Sequence, residues 1–247
     1  MRRKLVAGLL AIIVVAVGAP GTAASAAPAK DPVIIVAGTL SPSFANEPLA
    51  ARLRADGYQV WIYELPGLGL GDIAQTSQPL GGLVDQVRAQ TGAAKVDLIG
   101  HSQGGLVARY YVKSLGGSSK VDRVVSLGAP HYGTYVANLV TFFGFGTCAG
   151  VVACHQMSIG SSFLNSLNAG PDVISPVKYT NIYTAFDELV RPVTNATLKD
   201  GATNVKVQSQ CWLRVVGHLG LIIDGTVYDG VRDALRDAPV RMNCFAL

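Results

Sequence analysis

The chain has 247 residues, of which 49% are hydrophobic and 15% charged, with a formal net charge of +4. So apolar a composition excludes an intrinsically disordered chain, and the length suits one domain with a sizeable core. Arg2, Arg3 and Lys4 are three of the twenty basic residues and residues 1–26 hold no acid, so the remainder carries 17 basic against 16 acidic groups. That near-neutral body gives nucleic-acid binding no cationic footing.

The first segment reads as an address. Arg2-Arg3-Lys4 precede an apolar run from Leu5 to Val17, then Gly18, Pro20 and small residues ending Ala24-Ser25-Ala26. These are the charged region, apolar region and cleavage site of a secretory signal peptide. The run is too short for a hydrocarbon core about 30 Å thick, which takes roughly 20 residues. We therefore expect a signal peptide at 1–26 and a single catalytic domain at 27–247, secreted and extracellular, with no transmembrane span. In that oxidising setting Cys148, Cys154, Cys211 and Cys244 are expected to form two disulfides, with three pairings open. Cys148–Cys154 would close a short Gly-containing loop, and Cys211–Cys244 would tie the C-terminal segment to the body. Nothing completes a Cys/His set around Cys148, Cys154 and His155 with zinc-finger spacing. No metal or other cofactor is expected.

Strands and helices then alternate. Val33–Gly38 is a continuous apolar run, the pattern of a strand buried on both faces. Pro48–Asp56 has helical spacing and Tyr58–Tyr63 alternates as a strand. Leu80–Thr91 is an amphipathic helix ended by Gly92. Val96–Gly100 is a strand, Gly104–Lys113 a helix and Val121–Leu127 a strand. This order predicts an α/β fold, a mostly parallel sheet with helices on both faces. Residues 131–170 break the alternation with Leu139, Val140, Phe142, Phe143 and Phe145 and read as a small apolar cap or lid. Strands resume at Lys178–Ala185 and Asn204–Gln210, and a last helix spans Val227–Asp237.

Chemistry concentrates at Gly100-His101-Ser102-Gln103-Gly104-Gly105, between a strand and a helix. Gly-x-Ser-x-Gly in that setting is a nucleophile elbow: the chain reverses sharply, Ser102 sits strained at the tip, and the helix dipole faces the developing oxyanion. A serine needs a histidine base oriented by a carboxylate. In this context the triad runs Ser, acid, His along the chain. Of the four histidines, His101 lies in the elbow pointing away from Ser102, His131 precedes any suitable acid, and His155 sits in the cysteine loop. His218, in a loop after the last strand, is the expected base. Asp187 closes a β-rich run and is the expected acid. Its neighbour Glu188 should point the other way, Asp172 comes early, Asp200 suits a turn, and Asp224 and Asp229 follow His218. The oxyanion hole is expected from the Gln103 N–H and from Thr39, whose N–H and hydroxyl are both candidates.

These residues carry a resemblance to α/β-hydrolase lipases, of the fungal lipase B type and related bacterial secreted lipases and esterases. The matching stretches are Gly38-Thr39, Ser102 to Ala108, Lys120 to Arg123, Gly133-Thr134, Thr180 to Tyr183, Asp187 to Val190 with Pro192, Asn204-Val205, Cys211 and His218. The resemblance implies the triad Ser102, Asp187 and His218, the oxyanion hole Thr39 and Gln103, and the pair Cys211–Cys244. Cys148–Cys154 is then the other expected pair, although neither cysteine has a counterpart in the fungal pattern. The expected function is ester hydrolysis through an acyl-enzyme on lipid or other apolar acyl esters, at a lipid–water interface, by a monomer. An extracellular polyester depolymerase would use the same triad. A catalytically silent binding protein would lack a triad member, and none is missing.

Overall fold

Among the described residues, six short strands build the core: β1 (Val33–Val36), β2 (Val60–Tyr63), β3 (Val96–His101), β4 (Val121–Leu127), β5 (Lys178–Tyr183) and β6 (Thr203–Lys206). The computed structural model describes residues 30–135, 138, 139, 148 and 150–247. The expected signal peptide, and Val140, Phe142, Phe143 and Phe145 of the expected cap, lie outside the described residues. The strands form one sheet in the order β2-β1-β3-β4-β5-β6, every pairing parallel. Among the described residues no helix is long and apolar enough to cross a membrane.

Alternating side chains supply both faces of this sheet. Ile34, Val36, Leu98 and Val124 meet Leu80 and Val84 of α2 (Ile73–Thr91) and Leu106 of α3 (Gln103–Ser114). Val33, Ile35, Ile99 and Val125 meet Leu49 and Leu53 of α1 (Glu47–Ala55) and, further along the same face, Val227 and Val231 of the last helix, Gly225–Leu235. Each such side chain contributes about 1.5–3 kcal/mol on full burial, so the two-faced apolar strands hold the helices in place.

Several element bounds differ from the sequence reading, each for a local reason. Helix α2 begins at Ile73 rather than Leu80, because the Asp72 carboxylate caps it by accepting from Gln75 N at 2.8 Å. Strand β5 stops at Tyr183 because the Ala185 N–H donates to Gln208 Oε1 at 2.7 Å instead of to a neighbouring strand. The strand expected over Asn204–Gln210 ends at Lys206, and Val207–Gln210 is a short helix whose turn Ser209 ties down through Lys206 O at 2.6 Å. The last helix starts at Gly225, capped by Asp224 accepting from Val227 N at 3.1 Å.

The described part of 131–170 packs as core rather than as cover. Its two short helices, α4 (Val152–Gln156) and α5 (Ser162–Leu167), bury Cys154, Leu164 and Leu167 against the α2–α3 face. Gln156 latches the segment to the start of α2, accepting from Ile73 N at 2.7 Å and donating to Asp72 Oδ2 at 2.6 Å. A buried ion pair, Arg109–Asp172 at 2.9 Å, joins α3 to the chain entering β5. Cys148 and Cys154 are bonded, as are Cys211 and Cys244, with Cα separations of 5.6 and 5.2 Å.

Candidate active site

The site forms where β3 ends and α3 begins. Ser102 sits between them with φ 54° and ψ −126°, a strained conformation for any residue with a side chain. The reversal demands glycine on both sides. A Cβ at Gly104 would stand 2.1 Å from Val36 O, and one at Gly100 would stand 2.5 Å from Gly105 N. Helix and strands therefore touch backbone to backbone, which holds Ser102 at the C-terminal edge of the sheet.

His218 arrives from a loop after β6 and is held at three points. Its Nδ1 lies 2.8 Å from Asp187 Oδ2, and both side chains are 1% exposed. Its backbone N–H donates to Glu188 Oε2 at 2.9 Å, and its carbonyl accepts from His101 Nε2 at 3.1 Å. Asp187 is fixed in turn, because Oδ1 accepts from Leu189 N at 2.9 Å and Val190 N at 2.7 Å. His218 Nε2 has no hydrogen-bond partner among the described residues.

Ser102, His218, His101 and Thr39 line one cavity of about 300 Å³ whose remaining walls include Leu40, Ala45, Leu219 and Ile222. Gly38 brings the loop after β1 against Ser102, since a Cβ there would lie 3.2 Å from Ser102 Cβ. Thr39 N–H has no acceptor among the described residues. Gln103 N is the first amide of α3, one of the four that a helix leaves unpaired. Among the described residues, the Thr39 and Gln103 N–H groups thus stand on either side of Ser102 without an acceptor.

Two residues behave differently from the sequence expectation. Glu188, expected to point away, reaches the same loop as Asp187 and holds the His218 backbone while Asp187 holds its ring. His101 lines the cavity beside Ser102 and grips the His218 carbonyl. Burial first, then the neighbouring His218, pushes His101 down to about 3, so the ring is neutral and its proton sits on Nε2. Neither contact has a signal in linear sequence, because both depend on how residues 215–218 fold back over β3.

The other candidates lie elsewhere. His131 is fully buried against Asn181 Oδ1 at 3.0 Å, and burial pushes it down to about 3. His155 is exposed on α4. Asp200 sits at φ 59° in its turn, accepting from Asp172 N at 2.8 Å. Asp224 and Asp229 pair with Arg214 and Arg232 at 2.7 Å each.

The comparisons agree with this architecture. A family model for the alpha/beta hydrolase fold matches residues 31–148. Lipase B of Pseudozyma antarctica is 29% identical over 227 residues, covering 86% of this chain and 64% of the relative. A triacylglycerol lipase of Burkholderia plantarii is 31% identical over 196 residues, covering 71% of this chain and 54% of the relative. The chain thus spans between half and two thirds of the length of these relatives. Aspergillus fumigatus lipase B superposes with a TM-score of 0.74 at 24% identity, covering 86% of this chain and 54% of that one. A Bacillus licheniformis lipase in its mature form superposes with a TM-score of 0.64 at 20% identity, covering 82% and 91%. This chain is an α/β-hydrolase-fold protein, similar across most of its length to lipase B and to bacterial triacylglycerol lipases.

Proposed function

We propose that the protein is a serine carboxylic-ester hydrolase of the lipase and carboxylesterase type, acting on apolar acyl esters. One observation carries the reading: Ser102, on its strained turn, and His218, held by Asp187, open into the same apolar-walled cavity. Ser102 Oγ attacks the ester carbonyl carbon while His218 Nε2 takes the hydroxyl proton. Asp187 keeps the Nδ1 proton in place and stabilises the imidazolium. The tetrahedral oxyanion sits between the Thr39 and Gln103 donors. Its collapse breaks the ester C–O bond, and His218 protonates the departing alcohol. Water then repeats the sequence on the acyl-enzyme and releases the acid.

The cavity walls favour an apolar acyl or alcohol group over a charged one. Leu40, Phe44, Leu219 and Ile223 are exposed large hydrophobic side chains close in sequence to the lining residues, which suits a lipid–water interface. Residues 1–26 act in this reading as a cleaved leader, 27–247 as the secreted catalytic domain, and both disulfides suit an oxidising compartment. Ser102→Ala should abolish hydrolysis of p-nitrophenyl butyrate and leave thermal melting intact, whereas retained turnover would overturn the triad. A hydrolysis profile from acetate through long-chain triglyceride to an aliphatic polyester then separates lipase from polyester depolymerase.

A further inference from the structure

The Gln103 side chain has no part in the mechanism so far, yet it is fully buried beside the oxyanion position. The Thr39 hydroxyl lies in hydrogen-bond contact with its amide at Oε1, and Nε2 is buried without a partner among the described residues. The neighbouring loop is open where this amide sits. Gly69 has φ 75°, and a Cβ there would stand 2.6 Å from Gln103 Oε1. The amide is therefore packed tightly beside Thr39, with its one hydrogen-bond contact among the described residues at that hydroxyl.

What it directs is one proton. An amide turned by 180° about its last bond fills the same volume, so hydrogen bonding decides which end faces Thr39. With oxygen towards Thr39, the hydroxyl spends its single proton on Gln103, and both amide hydrogens are buried without an acceptor. With nitrogen towards Thr39, the amide donates to Thr39 Oγ1 and the hydroxyl proton is free to turn into the cavity. One N–H and the carbonyl oxygen are then left unpaired among the described residues, in place of two N–H groups, and an unpaired carbonyl oxygen costs less than an unpaired N–H.

We propose that Gln103 takes the second orientation and is a positioning residue: its side-chain amide aims the Thr39 hydroxyl at the oxyanion. Three donors then meet the transition state, namely the Gln103 N–H, the Thr39 N–H and the Thr39 hydroxyl. The same residue supplies one donor from its backbone and orients another from its side chain. This rests on the ester-hydrolase reading, which Ser102→Ala tests separately.

The experiment uses Thr39→Val, Gln103→Glu, Gln103→Met and the Thr39→Val/Gln103→Glu double variant. Each is assayed for kcat and KM on p-nitrophenyl butyrate from pH 5 to 9 and followed by thermal melting. Thr39→Val should lower kcat by about 10²-fold with little change in KM, the usual effect of losing one such donor. The carboxylate introduced by Gln103→Glu would only accept, so it would capture the Thr39 proton. That variant should therefore lose roughly 10–100-fold in kcat at pH 8. Relative to the parent it should recover towards pH 5, as the carboxyl protonates and can donate again. In the Thr39→Val background the same change should cost no more than about 3-fold, because its target is gone. Gln103→Met, which neither donates nor accepts, should lose activity without the recovery at low pH. Parent-like kcat in folded Gln103→Glu or Gln103→Met overturns the proposal. So does an equal Gln103→Glu loss with and without the Thr39 hydroxyl. If Ser102→Ala is inactive and both Gln103 variants are silent, only this inference falls.

Discussion

Replacing the Asp187 carboxylate by an amide exchanges one atom and should move one proton. Oδ1 accepts from Leu189 N at 2.9 Å and Val190 N at 2.7 Å, while Oδ2 faces His218 Nδ1 at 2.8 Å. Asparagine has one oxygen for these two sides. With it on the two backbone amides, the NH2 group confronts His218 Nδ1, which must accept, and the ring proton moves to Nε2. A ring protonated there cannot take a proton from Ser102. The reverse orientation keeps the useful tautomer but sets NH2 against two N–H donors and forfeits two hydrogen bonds of about 1 kcal/mol each. A preference of about 2 kcal/mol leaves only ~3% of molecules competent, a loss of about 30-fold from the tautomer alone. Losing the negative charge opposite the imidazolium takes the fall in kcat towards ~10⁴-fold, the size seen for this exchange in a Ser-His-Asp protease. Kinetics on p-nitrophenyl butyrate at pH 8 should show that fall with KM nearly unchanged and a parent-like melting temperature. Asp187→Ala, which strips the acceptor from both backbone amides, should melt lower. A kcat for Asp187→Asn within tenfold of the parent would refute this account of proton placement.

Three further outcomes are expected. Gly104→Ala puts a Cβ 2.1 Å from Val36 O, and clearing it moves α3 and the Gln103 N–H by roughly 1 Å. A displacement of that size should cost about 10²-fold in kcat together with 1–3 kcal/mol of stability, and a parent-like enzyme would contradict the close approach. Glu188→Ala removes the acceptor for the His218 N–H and should lower kcat by roughly 3–10-fold, whereas Glu188→Gln keeps an acceptor and should recover most of it. Equal losses in the two variants would sink the positioning role. At the other end of β3, burial pushes the Asp97 carboxyl up to about 8, against the opposing pull of Arg123. The native chain therefore holds a proton that the unfolded chain releases near pH 4, so stability falls as pH rises from about 4 towards 8. Asp97→Asn should flatten the melting temperature between pH 5 and 9, and an unchanged slope would rule Asp97 out as its source.

Much of this architecture was legible in linear sequence because the information there is local. Val33–Val36 is apolar on both faces, which suits a strand covered on both sides, and Val121–Leu127 is buried at Val121 and from Val124 onward. The elbow glycines mark a turn with no room for side chains. Asp187 and His218 emerge from chain order and the scarcity of histidines. What escaped is long-range. Glu188 and His101 reach the His218 backbone only after a loop closes over β3. Arg109 meets Asp172 across 63 positions, a pairing that no spacing rule anticipates. Near the bounds of elements, side chains overrule periodicity: Asp72 starts a helix ahead of its apolar stripe, and Gln208 captures an amide that would have extended β5. The aromatic run after Gly133 suggested a cover, yet its described surroundings are bound into the core through Gln156 and the Cys148–Cys154 link.

Two walls of the Ser102 cavity are each a single peptide bond from a group to which the proposed mechanism gives a chemical role. Leu40 follows Thr39, and Leu219 follows His218. In that mechanism accommodation and reactivity are joined covalently, and lengthening either loop would drag the proposed donor or the proposed base out of register. On the ester-hydrolase reading, substrate preference would be set by the volume of the side chains at Leu40, Ala45, Leu219 and Ile222, with the backbone kept as it is. Exchanging large for small residues at those few points would then reshape the cavity without moving Thr39 or His218.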